Sequence, residues 1–235
     1  MPWLTPNQVI EAILCRKECF LDLPTWRPIG FPVDETYQQP VETLFDHLTS
    51  LPNILISLGE IDATSIPSSS CFSLLERATE LRERLIIWRE DPCYASLFQT
   101  ISEVTQASLF PIHIRYTSAH AARLLCTFSA SMILLHRIIS QLSSSDAPGL
   151  EIENKMFAAQ ICGSYDYYKE CSPLGYKTMS FSLKAAYLVV TAREKREWIV
   201  SKVEEIERYG VDRGTEINTT WDQDSFFDLL RMRKV

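Results

Sequence analysis

The run from Leu124 to Leu135 constrains this chain most: it is interrupted only by Thr127, Ser129 and Ser131 and closed by His136-Arg137. Its side chains are apolar around most of a helical circumference, so the helix that carries it must be enclosed by other elements. The pattern predicts one long helix, from about Pro111 to about Ser140, as the buried centre of the fold. Twelve residues are too few to cross a bilayer, so the run reads as core rather than membrane span.

What surrounds that helix follows from a shortage. Only 7 of 235 residues are glycine, the residue that supplies the positive-φ positions of hairpins and phosphate loops. The remaining pattern is amphipathic helices. Thr5-Pro6-Asn7-Gln8 is a helix start, with a capping Thr and a proline in the first turn. Helices are expected over 6–19, 39–50, from Pro52, over 71–90, 94–108, 151–168, 178–191, 193–209 (ended by Gly210) and 222–232. Leu74, Leu75, Ala78, Leu81, Leu85 and Trp88 mark the apolar stripe of 71–90. Segments 20–38 and 62–70 read as loops, and no strong strand alternation stands out. The expectation is an all-α fold of about nine to eleven helices in a single domain, 1–235. The loop 143–149 is its one candidate internal break.

Charge and cysteine usage exclude several functions. The net charge is −7, and the basic residues alternate with acids, as in Arg193-Glu194-Lys195-Arg196-Glu197. That is a solvated helix face, not a phosphate-binding patch, so direct nucleic-acid binding is not expected. Seven scattered cysteines with no CxxC pair suit a reducing, intracellular compartment, cytoplasm or nucleus. Cys15 and Cys19 share a helix face, but no second pair completes a metal site. The N-terminus lacks the basic start and apolar core of a signal peptide. No GxSxG, HExxH, P-loop or dinucleotide motif is present, so no metal and no cofactor is assigned.

Any chemistry must then come from a shaped pocket. On the expected long helix, His113, Tyr116, Thr117, His120, Leu124 and Thr127 fall at i, i+3, i+4 and i+7 spacing, with Arg115 and Arg123 beside them. His113 and His120 would lie ~10 Å apart, too far for one metal but close enough to line one cavity. Tyr116, His113, His120 and Arg123 are the candidate catalytic donors. Trp88, Thr117, Thr127, Tyr165 and Tyr168 are the candidate substrate-binding residues. The alternative is plainer: residues at a helix end bonded to backbone and water, and tyrosines that pack. Cys162 reads as a packed thiol and Glu151 as a complement to a helix dipole.

Several segments together resemble a known family. Phe20-Leu21-Asp22-Leu23-Pro24-Thr25-Trp26, Leu48-Thr49-Ser50-Leu51-Pro52, the helix-ending Trp88 and the apolar run Ala119 to Ile139 are similar to the fungal-specific transcription factor domain. Ala158 to Tyr167 resembles that family's "Ala-x-x-Ile-Cys-x-Ser-x-x-Tyr", and Phe181-Ser182-Leu183-Lys184-Ala185-Ala186 resembles "Phe-Pro-Leu-x-x-Ala". Glu197-Trp198-Ile199 and Ile206 to Gly210 resemble its closing helix. The resemblance implies the helical regulatory half of a zinc binuclear-cluster regulator, here without six-cysteine cluster, basic linker or coiled coil. Two functions follow from such a scaffold. One is a protein of fungal natural-product biosynthesis that binds an apolar small-molecule intermediate and promotes a cofactor-free cyclisation, pericyclic in the Diels–Alder sense. The other is a metabolite-sensing or partner-binding regulatory domain. The enzyme reading is preferred, because fold kinship does not fix function and the regulator's DNA-binding part is missing. A homodimer is compatible with either.

Overall fold

In the computed structural model, residues 6–19, 35–60, 68–104, 109–143, 148–171 and 176–212 are described. Helices dominate them, in agreement with a mostly helical chain. In chain order they are α1 (Pro6–Cys15), α2 (Glu35–Leu48), α3 (Leu51–Glu60), α4 (Ser68–Glu90) and α5 (Ala119–Leu142). There follow α6 (Pro148–Gly163), α7 (Tyr165–Cys171), α8 (Tyr176–Tyr187) and α9 (Arg193–Asp212). The expected total of nine to eleven counts the whole chain and is not established by these residues. The expected helix 222–232, the motif Phe20 to Trp26 and most of the 62–70 loop lie outside them.

The described residues group into two compact units. The first holds α1–α4 and the end of α5 from Leu135. Leu74, Ala78, Leu81, Leu85 and Trp88 are buried, while Leu75, at the margin of the stripe, is half-buried. The Trp88 indole N–H donates to the Pro40 carbonyl at 3.0 Å, tying α4 to α2. Arg82 Nε donates to His136 Nε2 at 2.9 Å and ties α4 to α5. Helix α1 stops four residues before its expected end at Cys19. Arg16 turns left-handed at φ 50°, and the Lys17 N–H reaches back to the Ala12 carbonyl at 3.1 Å, which closes the helix.

The second unit runs over Ala95–Leu134 and Ala147–Gln223, and its described residues correct the sequence reading in one place above all. The described part of 94–108 does not form the expected helix, and the long helix does not begin at Pro111. A 3₁₀ turn, Pro92–Tyr94, leads instead to an antiparallel hairpin of β1 (Thr100–Val104) and β2 (Ile112–Tyr116). The physical reason is legible afterwards. Ile112-His113-Ile114-Arg115-Tyr116 alternates apolar and polar side chains, and β1 is rich in β-branched residues. The register pairs Thr100 with Tyr116, Ser102 with Ile114 and Val104 with Ile112. β2 lies against α6 and α7, while β1 is exposed throughout.

Helix α5 spans 24 residues, and every residue from Leu124 to His136 is buried. It is longer than the apolar run alone suggested and is long and apolar enough to cross a bilayer. Yet 83% of its most apolar window is covered by protein, as a core helix requires. The expected helix 151–168 is broken at Ser164 into α6 and α7. Charged α9 continues past Gly210, its expected end, to Asp212.

The break at Ser164 follows a very close approach of main chains. A Cβ on Gly163 would stand 2.2 Å from the Ile112 carbonyl oxygen and 3.6 Å from Ile114 Cγ1. Glycine alone lets the end of α6 sit on β2. Alanine inside a helix ordinarily gains up to ~1 kcal/mol over glycine. Gly163→Ala is instead expected to destabilise by about 1–3 kcal/mol, because backbone must move. Urea denaturation measures it, and a stabilised variant would contradict the contact.

Candidate functional site

The structure divides the predicted residues into three groups. Since His113 and Tyr116 lie on β2, three residues apart, they point to opposite faces of the hairpin. The expected helical stripe therefore does not exist. His113 Nδ1 pairs with Asp166 Oδ2 of α7 at 3.0 Å. Arg115 next to it reaches Glu103 at 3.5 Å and Glu170 at 3.8 Å. Thr117 is exposed and donates to the Leu97 carbonyl at 2.7 Å. His120 is exposed at the start of α5. Trp88 belongs to the first unit and packs on Tyr94 at 6.2 Å. His113, Thr117, His120 and Trp88 are thus not brought to a common site with Tyr116.

Tyr165 is buried, but it faces α9. Its ring packs edge-on against Trp198 at 5.5 Å, and Lys202 lies 5.2 Å from its centroid. Beneath it, Lys169 donates to Glu205 at 2.9 Å and Lys202 does so at 3.0 Å. This is a tether between α7 and α9, the packing role that was the plainer reading for a tyrosine here.

Tyr116, Arg123 and Tyr168 do come together, inside the second unit. Tyr116 is carried by β2, Arg123 by α5 and Tyr168 by α7. The Tyr116 hydroxyl makes a close hydrogen bond with Ser164, which in turn donates to the Gln160 carbonyl at 2.6 Å. Cys126 Sγ lies 3.9 Å from the same phenol. Tyr167 Oη donates to the Tyr116 carbonyl at 3.0 Å and fixes the strand end. Tyr168 is buried within electrostatic reach of Tyr116, Cys126 and Arg123, with Thr178 of α8 beside it. Thr127, fully buried, follows Arg123 by one turn of α5.

Burial sets the charge states. Desolvation pushes the Tyr116 and Tyr168 phenols well above the ordinary tyrosine range, so both keep their protons. It pushes the Cys126 thiol up to about 11 and Cys162 higher still, which leaves both as unreactive thiols. Desolvation also lowers Arg123, though a guanidinium stays protonated at neutral pH. The cluster offers neutral O–H donors and one cation. It offers neither a nucleophile nor a general base. Its chemistry is limited to binding an acceptor oxygen and withdrawing electron density from it.

Sequence reading missed Ser164, Gln160, Cys126 and Thr178. The signal was the pair Gly163-Ser164, a break inside an apolar helix with a hydroxyl where the chain turns. No family model matches the chain, and no curated protein or solved structure matches it either.

The Lys169–Glu205 tether gives a pH prediction. The Lys169 ammonium holds the Glu205 carboxyl down to about 2, helped by Lys202 and Tyr165. A carboxyl depressed in the folded state contributes stability above its unfolded value, near 4.5, and loses it as pH falls toward 2. Lys169→Met should flatten the pH dependence of stability in that window. Thermal melts from pH 2 to 7 measure it. Identical slopes for variant and wild type would exclude the tether.

Proposed function

We propose that this chain is a protein of fungal natural-product biosynthesis. It binds an apolar small-molecule intermediate in its second unit and promotes a cofactor-free cyclisation, pericyclic in the Diels–Alder sense. The observation that carries this reading is the set of two buried phenols, Tyr116 and Tyr168, with the half-buried Arg123, carried by β2, α7 and α5. A cyclisation of this kind needs no nucleophile and no base. It needs a flexible substrate held in a reactive conformer, which can supply several kcal/mol of the barrier. It also gains from donors that draw electron density through a carbonyl, and these act most strongly where water is excluded. The segment resemblance to a fungal regulator's helical half supports the fungal, intracellular setting. So do the seven free cysteines. The reaction as proposed uses no metal, nucleic acid or membrane.

A second reading has its own observation. Tyr116 already bonds to Ser164, and Ser164 to Gln160, at the point where α6 gives way to α7. A ligand competing for that hydroxyl would shift a helix junction, which is how a metabolite sensor couples binding to shape.

The test is incubation of purified protein with linear polyene intermediates that carry an activated carbonyl. Formation of a cyclic isomer of unchanged mass is followed against the spontaneous rate. Tyr116→Phe and Arg123→Gln should each lower the enzyme-dependent rate about 10²-fold, whereas Arg193→Gln on the exposed side of α9 should leave it unchanged. Binding without any rate above background would favour the sensor. Equal rates in wild type, Tyr116→Phe and Arg123→Gln would sink the catalytic reading.

A further inference from the structure

Histidine is the side chain whose charge ordinarily changes between about pH 5 and 8. Two histidines meet α4 in the first unit. An arginine can only donate, so the 2.9 Å bond from Arg82 Nε to His136 Nε2 requires that nitrogen to carry a lone pair. His136 is therefore neutral, with its proton on Nδ1. It is wholly buried, and Arg82 is half-buried. A proton on Nε2 would remove the acceptor, break the bond and leave two cations in contact away from water.

His47, on α2, repeats the arrangement. It is half-buried, and Arg84 of α4 lies within electrostatic reach of it. Burial first, and Arg84 second, hold its imidazole below the ordinary value of 6.5, against a weaker upward pull from Asp46 on its own helix. Counter-charges are scarce around both. Positions 78, 79, 85 and 86 of α4 and 132, 133, 139 and 140 of α5, one turn from the Arg82–His136 pair, are all uncharged, and the residue after His136 is another cation, Arg137. On the helices around α4, the acids whose side chains are described are Glu11 of α1, Glu42 and Asp46 of α2, and Glu60 of α3. Three of them are exposed, and Glu42 accepts from Gln38 at 3.0 Å. Glu80, on α4 itself, stands 4.0 Å from Arg84.

We propose that the first unit carries a proton-operated latch, in which neutral His136 and His47 hold α4 beside its own arginines and acidification releases the helix. A histidine held neutral by the fold contributes its full stability above its unfolded value, near 6.5, and loses it as pH falls below that value. Between its folded and unfolded values, each histidine shifts the opening equilibrium by up to about tenfold per pH unit. Helix α4 packs on α2 and α3 and is tied to α5, so its release loosens the unit as a whole. The latch lies in the first unit and is independent of what the second unit binds.

Amide hydrogen exchange of the whole chain at pH 7 and pH 5.5, corrected for the intrinsic pH dependence of exchange, tests the latch. At the lower pH, α4 should lose protection by about tenfold or more, and α8 of the second unit clearly less. His136→Gln can turn an amide oxygen to the Arg82 N–H and does not titrate. Combined with His47→Gln, it should keep the protection of α4 nearly constant across the two conditions. A buried replacement can itself prevent folding, so the wild type is also followed by nitrogen-15 NMR of its histidine rings. His136 should remain neutral, with its hydrogen on Nδ1, at pH 6, where a free histidine is mostly protonated. Four outcomes overturn the latch: α4 fully protected at pH 5.5, an equal loss in α8, an undiminished loss in a folded double variant, or a His136 ring protonated at pH 6 in the folded protein.

Discussion

The second unit depends on how closely two backbones meet. At Gly163 the end of α6 rests on the Ile112 carbonyl, with no room for a side chain between them. That seat places Ser164 next to the Tyr116 hydroxyl. It also starts α7 at the angle that lets Asp166 meet His113, Tyr167 meet the Tyr116 carbonyl, and Tyr168 turn inward. The buried donors are consequences of this contact rather than independent features. Moving the helix end by a fraction of an ångström would move three tyrosines together.

Much of the fold was legible where one helical face decides the matter. Leu74, Ala78, Leu81, Leu85 and Trp88 could only be a buried stripe, and the burial of Leu124 to Leu135 followed from their chemistry. The hairpin was not read, although Ile112 to Tyr116 carries the two-residue alternation of a strand. Five residues are a weak signal beside a thirty-residue apolar trend, and the trend absorbed them. The site suffered directly from this. A helix would have put His113, Tyr116 and His120 on one face, whereas a strand separates His113 from Tyr116 and leaves His120 to start the next element.

What survived from the expected site is what burial selects. Tyr116 and Tyr168 are held where water is scarce, with Arg123 half-buried on α5, and that scarcity keeps the phenols protonated and the neighbouring thiols inert. A protein can place such donors in its interior only if they find partners or are meant for one. Tyr116 has Ser164. The ion pairs of Arg115 are exposed and can be exchanged for water at little cost, and the His113–Asp166 pair beside them is half-exposed.

The hairpin's outer strand carries a different consequence, one for the protein in crowded solution. β1 presents Ile101 and Val104 outward, and the two-stranded sheet leaves it an open edge among the described residues. Such an edge invites a strand from another molecule. Between the two apolar residues stands Glu103, the strand's only charge, held by Arg115. In an antiparallel pair of two such strands, each carboxylate would be set against the partner's apolar side chains. Among the described residues of β1, Glu103 is the one charge set against self-association at this edge.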